Sequence, residues 1–524
     1  VETLVPPLPG QALPAIDGSG TRSRGYALAI ALLGIVVAAA ALRFAGLGIQ
    51  SYHHDEVITA MRVIPGGLGR VLHEVKVSES NPPLYYVLAW GWAKLFGRGE
   101  FELRSLSALF GVAVVPVAYL IGRELASRRA GLTLAAIVAV NPMLIWYSQE
   151  ARSYALLVLF GALSFFFFLR ALDAARGRDL ALWALSSALA LCSHYFAAFP
   201  LPIEAAWLLV VLRSFWRLVL PAVAAVAATG LALLPLLTAQ INATHIGWIE
   251  NSPLSTRFLE AGTSFLIGET GHVIAEPVRY GYAWLPLAAI GAALALLALR
   301  GDWREQRGAG IGLALGLGVV ALTGLAALAG KDYVIERNLL PALLPLAAVV
   351  AVGFSVARAR RIGMVLAIVL CLYWLAFDVY VTQKPNLQRP DLRTLSQEIG
   401  PAKVPRAIVS WKLAADPIRW YLPGQVPRMY GGQERVREVD VVSKPSAAPR
   451  PANLDRSFRE VQRFRLDRLT LTRYVSKKPM ELSFPQLAAL HTGFGVNAVV
   501  LNGPAGWRVG SEVRTLSGEK GAPR

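Results

Sequence analysis

The sequence predicts an α-helical polytopic membrane protein followed by a small α/β domain. Three observations carry this. First, 55% of the residues are apolar and only 16% charged, with a mean hydropathy of +0.47, more apolar surface than soluble cores of this length hide. Second, apolar segments recur from residue 26 to residue 381, about eleven of them near the length a bilayer requires. Third, beyond residue 381 short apolar runs alternate with Pro, Gly and charge, as strands and turns do.

The net charge of +18 has two addresses. Part lies in short loops between apolar segments, where it reports orientation; part lies after residue 381, where Lys and Arg outnumber Asp and Glu about two to one and suggest anionic neighbours. A chain this apolar is a poor partner for nucleic acid. Cys192 and Cys371 both fall in apolar segments, so neither a disulfide framework nor a metal-spaced motif is indicated.

In chain order, residues 1–24 are rich in Pro, Gly and Ala and read as a disordered tail. Residues 26–47 read as an uncleaved first span, since no small-residue cleavage site accompanies them. After a polar stretch at 48–82, the segment from Pro82 to Gly97 opens on two prolines and is dense in Tyr and Trp. Being about sixteen residues long, it reads as an interfacial helix in the first outer loop and not as a span. The remaining spans are then 104–123, 130–147, 153–170, 180–198, 200–212, 217–238, 282–299, 309–329, 338–357 and 362–381.

This arrangement places Arg22/Arg24, Arg123/Arg128/Arg129, Arg170/Arg176/Arg178, Arg213/Arg217, Arg300/Arg304/Arg307 and Arg358/Arg360/Arg361 on one side. That side is expected to be cytoplasmic, with the N-terminus. The other face receives Asp55 and Glu56, Gln149 to Arg152, Ser193 to Tyr195, the 239–281 segment and Lys331 to Asn338. Residues 25–381 thus form the membrane domain, and 382–524 an extracytoplasmic α/β domain with strands at Arg406–Trp411, Val439–Ser443 and Asn497–Asn502 and helices at Ala414–Leu422 and Pro485–Thr492.

The polar motifs on the outer face each admit a functional and a structural reading. Asp55 and Glu56, being adjacent, point in different directions; one could serve as a general base while the other fixes the loop, or both could be helix-start chemistry. His53 and His54 beside them lack metal-ligand spacing and read as surface or substrate-contact groups. Arg104 could hold a phosphate bidentately or anchor at the interface. Glu150 and Arg152, followed by Tyr154, could pair with each other. His194 and Tyr195 could be helix-packing contacts. Lys331 and Arg337 add cations that would offset the desolvation of a phosphate at this face.

In this order the motifs resemble the family 39 glycosyltransferases of the GT-C fold, a group related to protein O-mannosyltransferases and the lipid A aminoarabinose transferase. The resemblance rests on Asp55-Glu56, Asn81 to Tyr86, Arg104 to Gly111, Tyr147 to Leu156, His194 to Phe196 and Arg337 to Pro341, and covers roughly residues 26–356. It implies a GT-C membrane domain of a bacterial plasma membrane enzyme. That enzyme would move a sugar, with inversion, from a polyprenyl-phosphate donor to an extracytoplasmic hydroxyl of a glycan, lipid or protein. It implies Asp55 as general base with Glu56 assisting, and donor contacts from Arg104, Arg152 and Arg337. His54, Glu150, Tyr154, His194 and Tyr195 are further candidate substrate contacts. Two positions depart from the family: Asn81 stands where His or Lys is usual, so a phosphate contact could move to Lys76, and Asn338 replaces a Tyr. No cofactor is required; a divalent ion is compatible with the chemistry but not indicated. The alternative class is a transporter or binding protein for the same lipid-linked sugar, which would carry polar residues through both halves of its spans.

Overall fold

The computed structural model describes residues 18–243, 249, 252–269, 276–424, 426–447, 454–510 and 513. Most of the expected disordered tail therefore lies outside the described residues. The helices of the first part are α1 Gly18–Phe44, α2 His54–Ile58, α3 Leu68–Ser78, α4 Leu84–Phe96, α5 Glu100–Leu125, α6 Arg128–Val140, α7 Pro142–Ser148 and α8 Tyr154–Ala174. They continue as α9 Gly177–Ser193, α10 Pro200–Val211, α11 Trp216–Ala243, α12 Leu254–Ile267, α13 Glu276–Arg300, α14 Trp303–Leu328, α15 Leu340–Phe354 and α16 Arg360–Thr382.

Among the described residues, eight helices are long and apolar enough to cross a membrane, or nine if α6 and α7, bent by 59°, form one broken span. The chain is an integral membrane protein. Helices α9 and α10, at 17 and 12 residues, fall short of that length, so the expected count of about eleven is not reached by length alone. Helix α4 has 13 residues, about 20 Å at the α-helical rise, short of the length of a full span, in keeping with the interfacial helix expected there. Helices α5, α8 and α15 are largely buried, whereas α1, α11, α13 and α16 leave most of their apolar surface outside. That exposed surface suits lipid.

Two local devices shape the end of the bundle that matters below. The α5–α6 hairpin closes tightly because Gly122 lies where an added Cβ would stand 2.6 Å from the Ala130 carbonyl oxygen, and Ser127 caps α6 by accepting from the Ala130 N–H at 3.2 Å. The break between α6 and α7 leaves carbonyls without helical partners. Asn141 restarts the helix by accepting from the Leu144 N–H at 3.1 Å, with Pro142 at the first helical position. The fully buried Arg43 at the end of α1 donates to the freed carbonyls of Val138 at 2.9 Å and Ala139 at 2.8 Å, and to Ser148 Oγ at 3.2 Å.

The C-terminal part contains α17 Leu392–Ile399, α18 Ala415–Tyr421, α19 Phe484–Ala488 and strands β1 Arg406–Trp411, β2 Arg428–Met429, β3 Gln433–Ser443, β4 Arg459–Leu466, β5 Leu469–Ser483 and β6 Asn497–Asn502. They form a six-stranded sheet of order β2-β6-β1-β3-β5-β4, mixed because β1 and β3 run parallel while the other pairs are antiparallel. One apolar face, including Ile408, Val442 and Leu471, packs on α17 and α18; the other, including Val409, Val441 and Tyr474, is covered by α19 and the last described residues. The three expected strands are present. The long β4–β5 hairpin is additional.

Candidate active site

At one end of the bundle α1, α9 and α16 finish and α5, α8 and α15 start. The loop after α1 is fixed there before any catalytic chemistry is considered. Ser51 Oγ donates to the Pro390 carbonyl at 3.1 Å and accepts from the Leu392 N–H at 3.0 Å. The buried Tyr52 hydroxyl donates to the carbonyls of Arg98 and Gly99 at 2.9 and 2.7 Å, and its N–H donates to the Tyr421 hydroxyl at 2.7 Å.

Helix α2 begins after His53, with Asp55 and Glu56 in its first turn. Glu56 turns inward and accepts from the His53 N–H at 3.0 Å, one half of a capping box that suits the positive end of a helix. The same carboxylate meets Arg104 bidentately, at 2.7 Å to Nε and 2.8 Å to Nη2, and accepts from the Ala151 N–H at 2.9 Å and Arg389 Nη1 at 3.1 Å. Burial alone would raise its pKa; Arg104 and Arg389 outweigh that and hold it below the usual range. Glu56 is thus a structural hub that joins α2, α5, the α7–α8 turn and the segment after α16.

Arg104 uses its remaining N–H groups on the carbonyls of Leu47, Gln50 and Ser51, at 2.8, 2.7 and 3.0 Å. A guanidinium has five N–H donors, and here all are engaged by protein. The donor-phosphate contact expected of Arg104 is therefore corrected: its geometry is that of a loop anchor.

Asp55, next in the same turn, is different. No described residue donates a hydrogen bond to its side chain, and the residue remains partly accessible. Burial would raise its pKa, but Arg152, His53, Arg337 and His54 together hold it well below the ordinary carboxylate range. Asp55 is consequently ionised and unused by the fold.

Arg152 does not pair with Glu150. Its Nη1 donates to Glu79 at 2.7 Å and to Thr59 Oγ1 at 3.2 Å, while its buried Nε has no hydrogen-bond partner. The Tyr86 hydroxyl donates to the same Glu79 oxygen at 2.7 Å. Glu79 is pushed up by burial despite Arg152. Glu150 instead meets Arg389 Nη2 at 2.6 Å; burial raises its pKa even against that arginine. Tyr154 packs between Tyr147, edge-on, and His194, tilted, with ring centroids 4.7 and 5.5 Å away. His194 Nδ1 accepts from the Phe196 N–H at 3.2 Å, so the exchangeable proton of the neutral ring lies on Nε2.

Beside these groups opens a cavity of about 460 Å³ lined by His53, Tyr147, Glu150, Arg337, Arg389 and Arg468, with Arg257 and several carboxylates on the far wall. Tyr147 donates to Glu269 there. Helix α12 separates this cavity from an apolar groove of about 500 Å³ that runs between α12, α13, α14 and α15. Arg257 and Glu260 of α12 face the polar side, Phe258, Leu259 and Gly262 the apolar side.

Four further expectations are corrected. Lys76 sits exposed on α3 and is absent from the cavity wall. Tyr195 points away, its hydroxyl donating at 2.7 Å to Gln240, which in turn bonds the carbonyls of Val75 and Asn81. His54 turns toward the C-terminal sheet, Nδ1 lying 3.6 Å from Asp416. Asn81 is buried against the Tyr86 hydroxyl and does not line the cavity. Residues that the sequence did not single out, Arg257, Arg389 and Arg468, do line it. Arg389 and Arg468 lie far along the chain, and only their position in a basic segment hinted at them. Among the described residues no group of three or more His, Cys, Asp or Glu side chains is arranged to hold a metal ion.

Residues 80–238 match the family described as dolichyl-phosphate-mannose-protein mannosyltransferase. Among solved structures, apo ArnT from Cupriavidus metallidurans aligns over 86% of this chain and 98% of its own, at 14% identity and a TM-score of 0.54. The chain has the GT-C fold. The resemblance read from the motifs to GT-C membrane glycosyltransferases is upheld at the level of fold. The protein O-mannosyltransferase Pmt1-Pmt2 complex of S. cerevisiae aligns at 20% identity with a TM-score of 0.34, over 41% of this chain; this GT-C chain spans 34% of that relative's length. The Archaeoglobus fulgidus oligosaccharyltransferase aligns at 15% identity with a TM-score of 0.43, over 67% of this chain and 52% of its own. No curated protein sequence matches this GT-C chain.

Proposed function

We propose that this GT-C protein is an inverting glycosyltransferase that moves a sugar from a polyprenyl-phosphate donor to an acceptor hydroxyl on the extracytoplasmic side of the membrane. The observation that carries the reading is the contrast between Asp55 and its neighbours. Glu56 and Arg104 are consumed by the fold, whereas Asp55 keeps an ionised carboxylate without a hydrogen-bond donor, close to an arginine-lined cavity. The apolar groove across α12 supports a ligand with a charged head and an isoprenoid chain.

The acceptor hydroxyl donates its proton to Asp55 as its oxygen attacks the anomeric carbon. The bond from that carbon to the phosphate oxygen breaks, and the lipid phosphate departs with the electron pair. A carboxylate held at low pKa is a weak base, but the hydroxyl grows acidic as its new bond forms, so transfer late in the step is sufficient. Arg337 on the cavity wall, with Arg152 close by, supplies fixed positive charge for the leaving phosphate.

The test is incubation of purified protein with radiolabelled polyprenyl-phosphate sugars, followed by separation of free polyprenyl phosphate. Donor-dependent release in the presence of acceptor is expected. Asp55→Asn should reduce it by roughly 10²–10⁴-fold, the usual contribution of a positioned base, without a loss of folded protein. Parental rates in Asp55→Asn would reject the base. Donor bound and released intact would instead favour a transporter or binding protein.

A further inference from the structure

The β4–β5 hairpin belongs to the C-terminal sheet, yet its tip reaches the cavity. Leu466 pairs with Leu469, which leaves Asp467 and Arg468 as a two-residue turn. Asp467 lies in the left-handed region at φ 47°, a conformation that few residues other than Gly adopt and that Asp tolerates better than most. A positive φ at this position is what a two-residue hairpin turn requires, and it fixes the direction in which the next residue leaves the tip. Here that residue is Arg468. It lines the cavity beside Gln388 and Arg389, and its Nη2 donates to the Gln388 carbonyl.

Two of the other three arginines on this cavity wall, Arg257 and Arg389, are already committed. Arg257 bonds both carboxylate oxygens of Asp332 and also the carbonyls of Ser252 and Val334. Arg389 divides its two terminal nitrogens between Glu56 and Glu150 and lies over the Trp146 ring at 4.7 Å. Arg468 makes the single backbone bond just described and has no ion-pair partner among the described residues. The rest of its planar fork remains for a ligand, and a guanidinium fork matches the oxygens of a phosphate.

We propose that Arg468 binds the phosphate of the lipid-linked donor, so that the C-terminal sheet supplies part of the donor site. This rests on the glycosyltransferase reading above. A half-buried cation is suited to the task because water competes less there for the phosphate oxygens. The hairpin tip also explains why the basic C-terminal domain and the membrane bundle meet at this cavity: each contributes arginine to one wall.

The experiment measures equilibrium binding to the full-length protein in detergent micelles, with undecaprenyl phosphate, undecaprenol and inorganic phosphate as separate probes. Arg468→Gln should weaken undecaprenyl phosphate binding by about tenfold or more, as expected for losing a charge-assisted hydrogen bond, and leave undecaprenol binding unchanged. Arg468→Lys, which keeps the charge and loses the fork, should fall between. Equal undecaprenyl phosphate affinity in parent and Arg468→Gln overturns the proposal. So does a loss confined to inorganic phosphate, since that would make the site one for a free anion. Absence of undecaprenyl phosphate binding to the parental protein rejects the donor class itself, and the Arg468 proposal with it. Unchanged thermal unfolding of both variants separates a ligand contact from a structural one.

Discussion

At the scale of the residue, two adjacent carboxylates meet opposite fates because successive positions in a helical turn point in different directions. Glu56 is drawn to Arg104 in a fully buried, bidentate pair; Asp55 is left without a hydrogen-bond donor, two residues along from His53 on the cavity wall. Removing one partner of a buried pair leaves an uncompensated charge, typically a loss of about 3–5 kcal/mol. Arg104→Gln should therefore lower thermal stability markedly and expose the 47–56 loop to protease, an effect absent from Arg468→Gln. The pH dependence has a definite sign. Glu56 is held below its unfolded value, so its contribution is fully present above about pH 4.3 and is lost as the pH falls through the folded value. Parental stability should decline on acidification below pH 4 more steeply than that of Arg104→Gln. Equal acid sensitivity, measured by unfolding curves across pH, would contradict the pairing.

At the scale of the element, the C-terminal domain clamps the loop after α1 as well as reaching the cavity. Asp416 of α18, 2% exposed, gathers Arg419 at 2.9 Å, His54 at 3.6 Å, and Arg62 and Arg428 both at 3.7 Å. Burial would raise its pKa; Arg62, Arg419 and His54 keep it lowered. Trp420, next to Tyr421, packs on Tyr52 with ring centroids 6.0 Å apart, and Tyr421 donates to Glu100 at 2.6 Å. Neutralising Asp416 leaves buried cations facing one another. Asp416→Asn is expected to increase cleavage by protease between α16 and α17 and to slow turnover while leaving the donor KM near the parental value. A variant with a raised donor KM and unchanged proteolysis would assign Asp416 to substrate binding instead. Helix α12 shows the same economy in the membrane part, since opposite faces of one amphipathic helix divide a polar cavity from an apolar groove.

At the scale of the whole molecule, the site lies where several helix ends converge, and its proposed sidedness follows from the basic loops at the opposite end. In a variant with Cys192 and Cys371 replaced by Ser, Lys331→Cys at the site end and Arg304→Cys at the other end place labels on exposed positions. A membrane-impermeant maleimide applied to intact spheroplasts should modify Lys331→Cys and spare Arg304→Cys until the membrane is permeabilised. The reverse pattern would invert the orientation and place the transfer reaction inside the cell.

The membrane class, the short helix α4 and three strands of the C-terminal sheet were legible in the sequence, because hydropathy, proline placement and short apolar runs are local properties. The β4–β5 hairpin was not: Arg459 to Leu466 is an edge strand dominated by exposed polar residues, so its periodicity carries little apolar signal. The α6–α7 break was read through as one span because Asn141 and Pro142 interrupt an otherwise apolar run only briefly. Asp55 and Glu56 were visible as a pair, and Arg152, Glu150 and Arg337 as neighbours on one face. The family resemblance pointed to Asp55 over Glu56, but the physical reason Asp55 remains available lies in the tertiary structure. Arg104 and Arg389 are 48 and 333 residues away from Glu56, and no local pattern encodes which of two adjacent acids such distant cations will neutralise. Arg468 makes the same point: local chemistry sets the hairpin turn, but only the docking of the sheet against the helix ends turns a surface arginine into part of a cavity.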